Sequence, residues 1–327
     1  MATLYLYLDR RESALKLDGT TLTIYVDGEH QTTVPLHMLE RVVMYSAVQI
    51  QSTLLARLAD AGIGVLAFGG RNAGKVAIVQ GSAHNDGARR IGQYRRYDDA
   101  IWRRQWSRRL VLGKLKGQTR LLHSALWKRP DLRYPLMEGV TRLLDARGRI
   151  LSEPELSVDS LRGIEGAAAG GYFQALTQLF PASLDFTGRN RRPPRDPVNA
   201  ALSLGYTLLH FEAVRACHVA GLDPIIGFFH ELDFGRESLA SDLIEPWRPR
   251  IDAWVWEQFR TRSLRDDHFT READACLLGK TGRQHFYGAY EALARPLRRA
   301  LRRYAGKLAA RLAGEGAIHP SSMEQTR

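Results

Sequence analysis

The run GFFHELDFGRESLASDLIEPWRP, residues 227–249, sets one imidazole, His230, at the end of an apolar stretch, followed by two carboxylates, Asp242 and Glu245, three residues apart. Each has an ordinary reading. A single histidine is more often a structural hydrogen-bonder than a ligand. Acidic residues after Ser241 suit the first turn of a helix, where the backbone dipole favours negative charge. The chemical reading needs a further ligand. Glu165 lies in LRGIEGAAAGGYF, residues 161–173, a helical stretch made largely of glycine and alanine. Each glycine costs a helix about 1 kcal/mol relative to alanine, and close packing of backbones is one explanation. A carboxylate on a helix packed that tightly needs a partner to offset lost hydration, and a cation is one. A carboxylate, an imidazole and a second carboxylate suit Mg2+ or Mn2+ with open water positions. Zinc fits less well, because the two cysteines, Cys217 and Cys276, form no CxxC and no second histidine is near. An open divalent ion would polarise a phosphoryl oxygen and lower the pKa of a bound water or hydroxyl.

The charge of the chain points to the same class of substrate. Its 327 residues carry a formal net charge of +12. Residues 1–85 are neutral, with seven basic and seven acidic side chains, so the remainder carries the whole excess. Of the 47 basic residues, 40 are arginine and 7 lysine. Arginine binds phosphate bidentately and stacks on bases, which suits nucleic acid. A GC-rich genome would produce the same ratio but not the excess charge. Residues 89–120 hold 11 basic residues against two aspartates, interleaved with Tyr94, Tyr97, Trp102 and Trp106; residues 295–311 hold seven and no acid. The candidate DNA contacts are Arg95, Arg96, Arg103 and Arg104 in the first cluster and Arg189, Arg191 and Arg192 in the loop RNRRPPR. Arg236 and Arg248, which flank the acidic pair, complete the set. The aromatics could stack on single-stranded ends, but their helical spacing favours core packing.

The elements that must position these groups fall into two parts, an α+β arrangement. TLYLYL, ALKLDGTTLTIYVDGEHQTTV and RVVMY read as strands, with Asp-Gly pairs for tight turns. SAVQIQSTLLARLADAG reads as a helix ending at Gly62, and IGVLAF and KVAIVQG as strands. Residues 1–85 are therefore expected to form a small, β-sandwich-like domain. GGRNAGK, residues 69–75, matches a phosphate-loop pattern, but Val76 replaces the required Ser or Thr and a strand follows instead of a helix. It reads as a glycine-rich hairpin whose Arg71 and Lys75 could touch a partner. SAHNDGARR, about 82–90, reads as a polar linker. From residue 86 to 312 the pattern is helical, with helices expected from IGQYRR through HSAL and over 135–147, 157–179, 197–220, 242–260 and 285–312. This part is expected to be an all-α catalytic and DNA-binding domain, and residues 313–327 a disordered polar tail. No signal peptide or membrane-spanning run is expected, so the expected setting is soluble and cytoplasmic.

GIEGAAAGGYF, DPVNAALSLGYTLL and GLDPIIGFFHELDFGRESLASDLIEPWRP, in that order, together resemble the CRISPR-associated adaptation integrase family, the universal spacer-acquisition endonucleases. The β-rich first part matches as well, so the resemblance covers nearly the whole chain. It implies that Glu165, His230 and Glu245 ligate Mg2+ or Mn2+, with Asp242 a further catalytic acid close to the ion. It implies that Asn199 supports the site and that Tyr206 packs near it or near DNA. The implied reaction joins the 3′-hydroxyl of a captured protospacer to the leader-repeat of a CRISPR array by transesterification. The same site can run that reaction backwards or cleave branched DNA. The implied partners are a second copy of the chain, docked through the β-rich domain that would serve for dimerisation, and a small ferredoxin-like adaptation protein, together a heterohexamer. Trp247 departs mildly from the family's usual Phe. Two other classes remain: a non-catalytic DNA-binding subunit with a structural acidic cluster, and a metallohydrolase for small phosphorylated substrates, which the basic helices disfavour.

Overall fold

The computed structural model describes residues 4–10, 12–69, 76–79, 81, 84, 86–190, 193–272 and 274–316. The chain divides into two compact units, Met1–Ala83 and His84–Arg327.

The first unit holds β1 (Leu4–Leu8), β2 (Ser13–Asp18), β3 (Thr21–Val26), β4 (Glu29–Pro35), β5 (Leu39–Met44), β6 (Val48–Ile50), α1 (Ser52–Asp60), β7 (Gly64–Phe68) and β8 (Val76–Val79). They form two four-stranded sheets, ordered β1-β5-β7-β8 and β4-β3-β2-β6. Leu8, Val42 and Val65 of one sheet and Leu15, Leu22 and Ile24 of the other share a core with Leu54 and Leu58 of α1. Asp27 and Gly28 both take positive φ, 54° and 82°, which turns β3 tightly into β4. The helix expected over residues 46–62 is shorter than its spacing suggested. Its first part is β6, paired in parallel with β2, because Val48 and Ile50 turn inward while Gln49 faces out. The strands on either side of the glycine-rich pattern, β7 and β8, pair antiparallel. Residues 70–75 of that pattern, including Arg71 and Lys75, lie outside the described residues.

The second unit contains α2 (Gly87–Asp98), α3 (Ala100–Lys128), α4 (Arg133–Ser152), α5 (Val158–Thr177), α6 (Pro197–Ala220), α7 (Ser238–Ile244), a 3-10 turn (Glu245–Trp247), α8 (Arg248–Arg260), β9 (Phe269–Glu272), β10 (Ala275–Leu278) and α9 (Lys280–Gly316). Several expectations need correction. The stretch taken as a linker already starts α2, capped by Asp86, whose carboxylate accepts from the Ala88 N–H at 3.1 Å. The long basic helix is two, broken at Asp99, which caps α3 by accepting from Trp102 N at 2.9 Å. The unit is not all-α, since β9 and β10 form an antiparallel hairpin. Period-two alternation is lost there because β9 is mostly exposed and β10 mostly buried. The helix expected over 242–260 starts at Ser238 and is interrupted around Pro246 and Pro249, which cannot donate into a helical ladder. The last helix runs on to Gly316, and the rest of the expected tail lies outside the described residues. Neither cysteine is bonded, and both are buried. No described helix is long and apolar enough to cross a membrane.

Candidate active site

After α6 ends at Gly221, the chain reaches α7 through turns and bends that carry His230. A segment without its own ladder must satisfy its backbone elsewhere. Gln93 of α2, fully buried, donates to the carbonyls of Asp223 at 2.8 Å and Ile226 at 2.7 Å and accepts from Asp223 N at 2.8 Å. Asp242 of α7 fixes the far end. Its carboxylate accepts from the backbone N–H groups of Phe228 (2.7 Å), Phe229 (3.0 Å) and His230 (3.0 Å). Gly227 is required, since a Cβ there would sit 2.6 Å from the backbone of Ser238. Trp102 and Trp106 of α3 are buried against Phe228, with ring centroids at 4.6 and 5.1 Å. The interleaved tryptophans thus pack the core, as their spacing suggested, and hold the histidine loop.

Asp242 also meets the ring of His230, Oδ1 to Nδ1 at 2.6 Å. That leaves Nε2 facing the two glutamates' side of the loop, 3.9 Å from Glu245 Oε1. A carboxylate bound to one imidazole nitrogen while the other faces a cation position is a recurrent support for metal-binding histidines. Asp242 is fully buried and spends its oxygens on the loop and the ring. It positions His230 and is neither a first-turn residue nor an open ligand.

Glu165 on α5 and Glu245 at the start of the 3-10 turn converge on Lys114 of α3. The ammonium lies 2.6 Å from Glu165 Oε1 and 2.5 Å from Glu245 Oε2. Gly113 and Gly117 make this approach possible, because Pro246 and Pro249 lie directly over them, within 3.6 Å of where a Cβ would stand. Arg248 Nε lies 2.8 Å from the other Glu245 oxygen, an ion pair without hydrogen-bond alignment. Burial would raise the Glu245 carboxyl, but Arg248, Lys114 and His230 outweigh it and hold it at about 2. Lys114 shows the counterpart: burial lowers it, Glu245 and Glu165 raise it further, and the net direction is up.

The glycines around Glu165 do not serve close packing throughout. A Cβ at Gly163, Gly166 or Gly170 would meet nothing, and only Gly171 is pressed, against Arg142. Glu165 therefore borders an open helix flank. Among the described residues, no three His, Cys, Asp or Glu side chains are drawn together closely enough to hold a metal ion as they stand. The two carboxylates, which meet the same ammonium, and the imidazole, 3.9 Å from one of them, are nevertheless oxygen and nitrogen donors. Their chemistry fits Mg2+ or Mn2+.

A second layer lies behind Arg248. Its guanidinium sits over the ring of Tyr206 at 4.8 Å, and Arg189 lies over the same ring at 5.3 Å. Arg189 donates to Asn199 Oδ1 at 2.7 Å and Ser203 Oγ at 3.0 Å. Asn199, fully buried, donates in turn to Asp196 at 2.6 Å and to the Gly188 carbonyl at 2.8 Å. Asn199 thus holds Arg189, and the Tyr206 ring lies under both arginines. Tyr206 and Tyr172 both donate to the buried carboxylate of Asp252, Tyr172 at 2.7 Å. Burial pushes Asp252 up to about 6 despite both hydroxyls.

The remaining candidate arginines divide. Arg96 pairs with Asp99 and Glu315, Arg104 with Glu155, and Arg103 with the Phe228 carbonyl and the Tyr97 ring. Arg95 is exposed and donates to the Glu315 carbonyl. Arg236 is exposed on the histidine loop. Arg191 and Arg192 lie outside the described residues. Sequence reading missed Lys114, Gln93 and Asp252. Only Lys114 left a signal: one of seven lysines in an arginine-rich chain, set in the pattern Gly-Lys-Leu-Lys-Gly over residues 113–117.

The chain as a whole is similar to known proteins. The sequence family described as CRISPR associated protein Cas1 matches residues 6–292. The CRISPR-associated endonuclease Cas1 1 of Thermodesulfovibrio yellowstonii is 38% identical over 290 residues, 87% of this chain and 89% of that protein. A Cas1 protein from Thermotoga maritima has the same fold, with a TM-score of 0.81 over 98% of this chain and 99% of that one at 23% identity. A casposase bound to its integration product superposes with a TM-score of 0.77 over 99% and 98% of the two chains at 21% identity.

Proposed function

Because the chain belongs to the Cas1 family of CRISPR-associated proteins, we propose that it is a divalent-metal-dependent DNA endonuclease and integrase of CRISPR adaptation. It joins the 3′-hydroxyl of a captured DNA fragment to the repeat of a CRISPR array. One new P–O bond forms to that hydroxyl oxygen, one P–O bond of the repeat breaks, the attacking hydroxyl gives its proton to water and the leaving oxygen takes one up from water. The observation that carries this reading is the convergence of Glu165, Glu245 and the free Nε2 of His230 beside Arg248, all in the basic part of the chain.

Glu165, His230 and Glu245 are the residues that would hold Mg2+ or Mn2+. The ion supplies charge stabilisation at the phosphoryl oxygens and acidifies the attacking hydroxyl or water. Asp242 keeps the imidazole turned with Nε2 toward the glutamates. Arg248, held between Glu245 and the Tyr206 ring, keeps positive charge at the edge of the acidic cluster, where the scissile phosphate would approach. No protein nucleophile is needed, because the attacking group belongs to DNA or water.

The partners follow from the family: protospacer and leader-repeat DNA, a second copy of the chain through the β-rich unit, and a small ferredoxin-like adaptation protein, assembled as a heterohexamer. Solved relatives of this fold include a Cas6-RT-Cas1–Cas2 complex. One observation favours the alternative of a non-catalytic DNA-binding subunit: Lys114 and Arg248 already neutralise both glutamates.

The test is half-site joining of a duplex with free 3′-hydroxyls to a supercoiled repeat plasmid, in the presence of the small partner. Joining is expected with Mn2+ or Mg2+, is lost with chelator, and falls at least about 100-fold in Glu165→Ala. Joining that persists in that variant, or without metal, overturns the proposed site.

A further inference from the structure

Lys114 has no place in the reading above, yet it is the group around which both glutamates close. We propose that Lys114 is a built-in stand-in for the divalent ion: its ammonium holds Glu165 and Glu245 together in the metal-free protein, and the ion binds by displacing it. This rests on the reading of Glu165, His230 and Glu245 as metal ligands.

Two carboxylates brought to one poorly hydrated spot repel, and one of them takes up a proton unless a cation intervenes. The Lys114 ammonium lies within 2.6 Å of both, so a cation does intervene. Arg248 reaches only Glu245, at Oε1; Lys114 alone reaches both glutamates, at Glu165 Oε1 and Glu245 Oε2. With Oε1 taken by Arg248, an ion held by both glutamates would compete with the ammonium for their carboxylates. Residue type supports displacement. Arginine is a planar fork that stays clamped on carboxylates, whereas lysine is a point charge on a flexible four-carbon stem that can withdraw. In a chain with 40 arginines and 7 lysines, the cation between the two glutamates is a lysine. Its flanking Gly113 and Gly117 add no side chains of their own around it.

The experiment is a Mn2+ titration of the full chain without DNA, read by isothermal calorimetry, by the paramagnetic resonance signal of free Mn2+, and by thermal unfolding. Lys114→Met removes the competitor. It is expected to unfold at a lower temperature than wild type without metal and to bind Mn2+ about tenfold more tightly, the loss of about 1.4 kcal/mol of competition. Lys114→Arg keeps a cation that clamps harder and is expected to bind Mn2+ severalfold more weakly. The pair of opposite shifts supports the proposal. Equal or weaker binding by Lys114→Met, or tighter binding by Lys114→Arg, overturns it; if Lys114→Met does not fold, the direction of the arginine variant decides. Glu165→Gln separates the two readings. If it binds Mn2+ as wild type does, the ligand assignment fails and the stand-in role falls with it. If it loses binding while the lysine variants do not shift in opposite directions, only the role of Lys114 fails.

Discussion

Glu245 and Asp252 lie seven residues apart on one continuous turn-and-helix segment, and both carboxylates are nearly or fully withdrawn from water. They behave in opposite ways. Glu245 is held down at about 2, whereas Asp252 is pushed up to about 6. Burial acts upward on both. Glu245 meets Arg248 and Lys114, two full charges in direct contact. Asp252 meets the hydroxyls of Tyr206 and Tyr172, which are dipoles only, and burial prevails. A buried carboxylate is thus a charge or a near-neutral acid according to its partner. Glu245 belongs to the proposed metal site, while Asp252 braces the ring that carries Arg248.

The largest expected effect breaks the contrast from the Glu245 side. Arg248→Met removes the strongest cation acting on Glu245, so its carboxyl should rise toward the value of its neighbour. Stability at pH 7 should fall by about 3 kcal/mol, since an ion pair this buried loses one partner. Urea unfolding without metal measures it; an unchanged midpoint would mean that Lys114 alone neutralises Glu245. In the wild type, the depressed Glu245 adds stability above its unfolded value near 4.5, and this is lost as pH falls toward 2.

A comparable effect has the opposite sign in pH. The folded protein keeps a proton on Asp252 where the unfolded chain has released it. Stability from this group is therefore full below about pH 4 and declines until about pH 6, by about 3 kcal/mol. Asp252→Asn should remove that decline, so the difference between variant and wild-type unfolding free energies should move in the variant's favour over this window. A constant difference from pH 4 to pH 7 would refute the raised acid. The smallest effect sharpens the same point. Tyr172→Phe deletes one hydroxyl from Asp252. It should cost about 1–2 kcal/mol at pH 8, where the carboxylate is charged, and less at pH 4. Denaturant midpoints at the two values check this; equal losses would show that the ring's packing, not the hydroxyl, is what Tyr172 supplies.

The residue types and their order along the chain were enough to nominate the site. Glu165, His230, Asp242 and Glu245 lie in contiguous motifs, and an imidazole and carboxylates in an arginine-rich chain suggest a cation and a polyanion. The two-part architecture was legible for the same local reason: alternation with Asp-Gly turns gives way to helical spacing after residue 85. What the sequence could not assign was the partner of each group. Asp242 and Glu245 sit three residues apart with the same charge, yet Asp242 satisfies three backbone N–H groups and orients His230, while Glu245 faces Lys114 from 131 positions away. Those roles follow from prolines that turn the chain at Pro246 and Pro249 and from glycines on α3 that let it approach. The hairpin Phe269–Leu278 escaped notice because its burial follows the helices beneath it and not its own alternation. Local sequence determined which chemistry was available. Only long-range packing decided which carboxyl is held down and which is pushed up, which one braces, and that a lysine stands between the two glutamates, because desolvation and ion pairing depend on neighbours that chain order does not list.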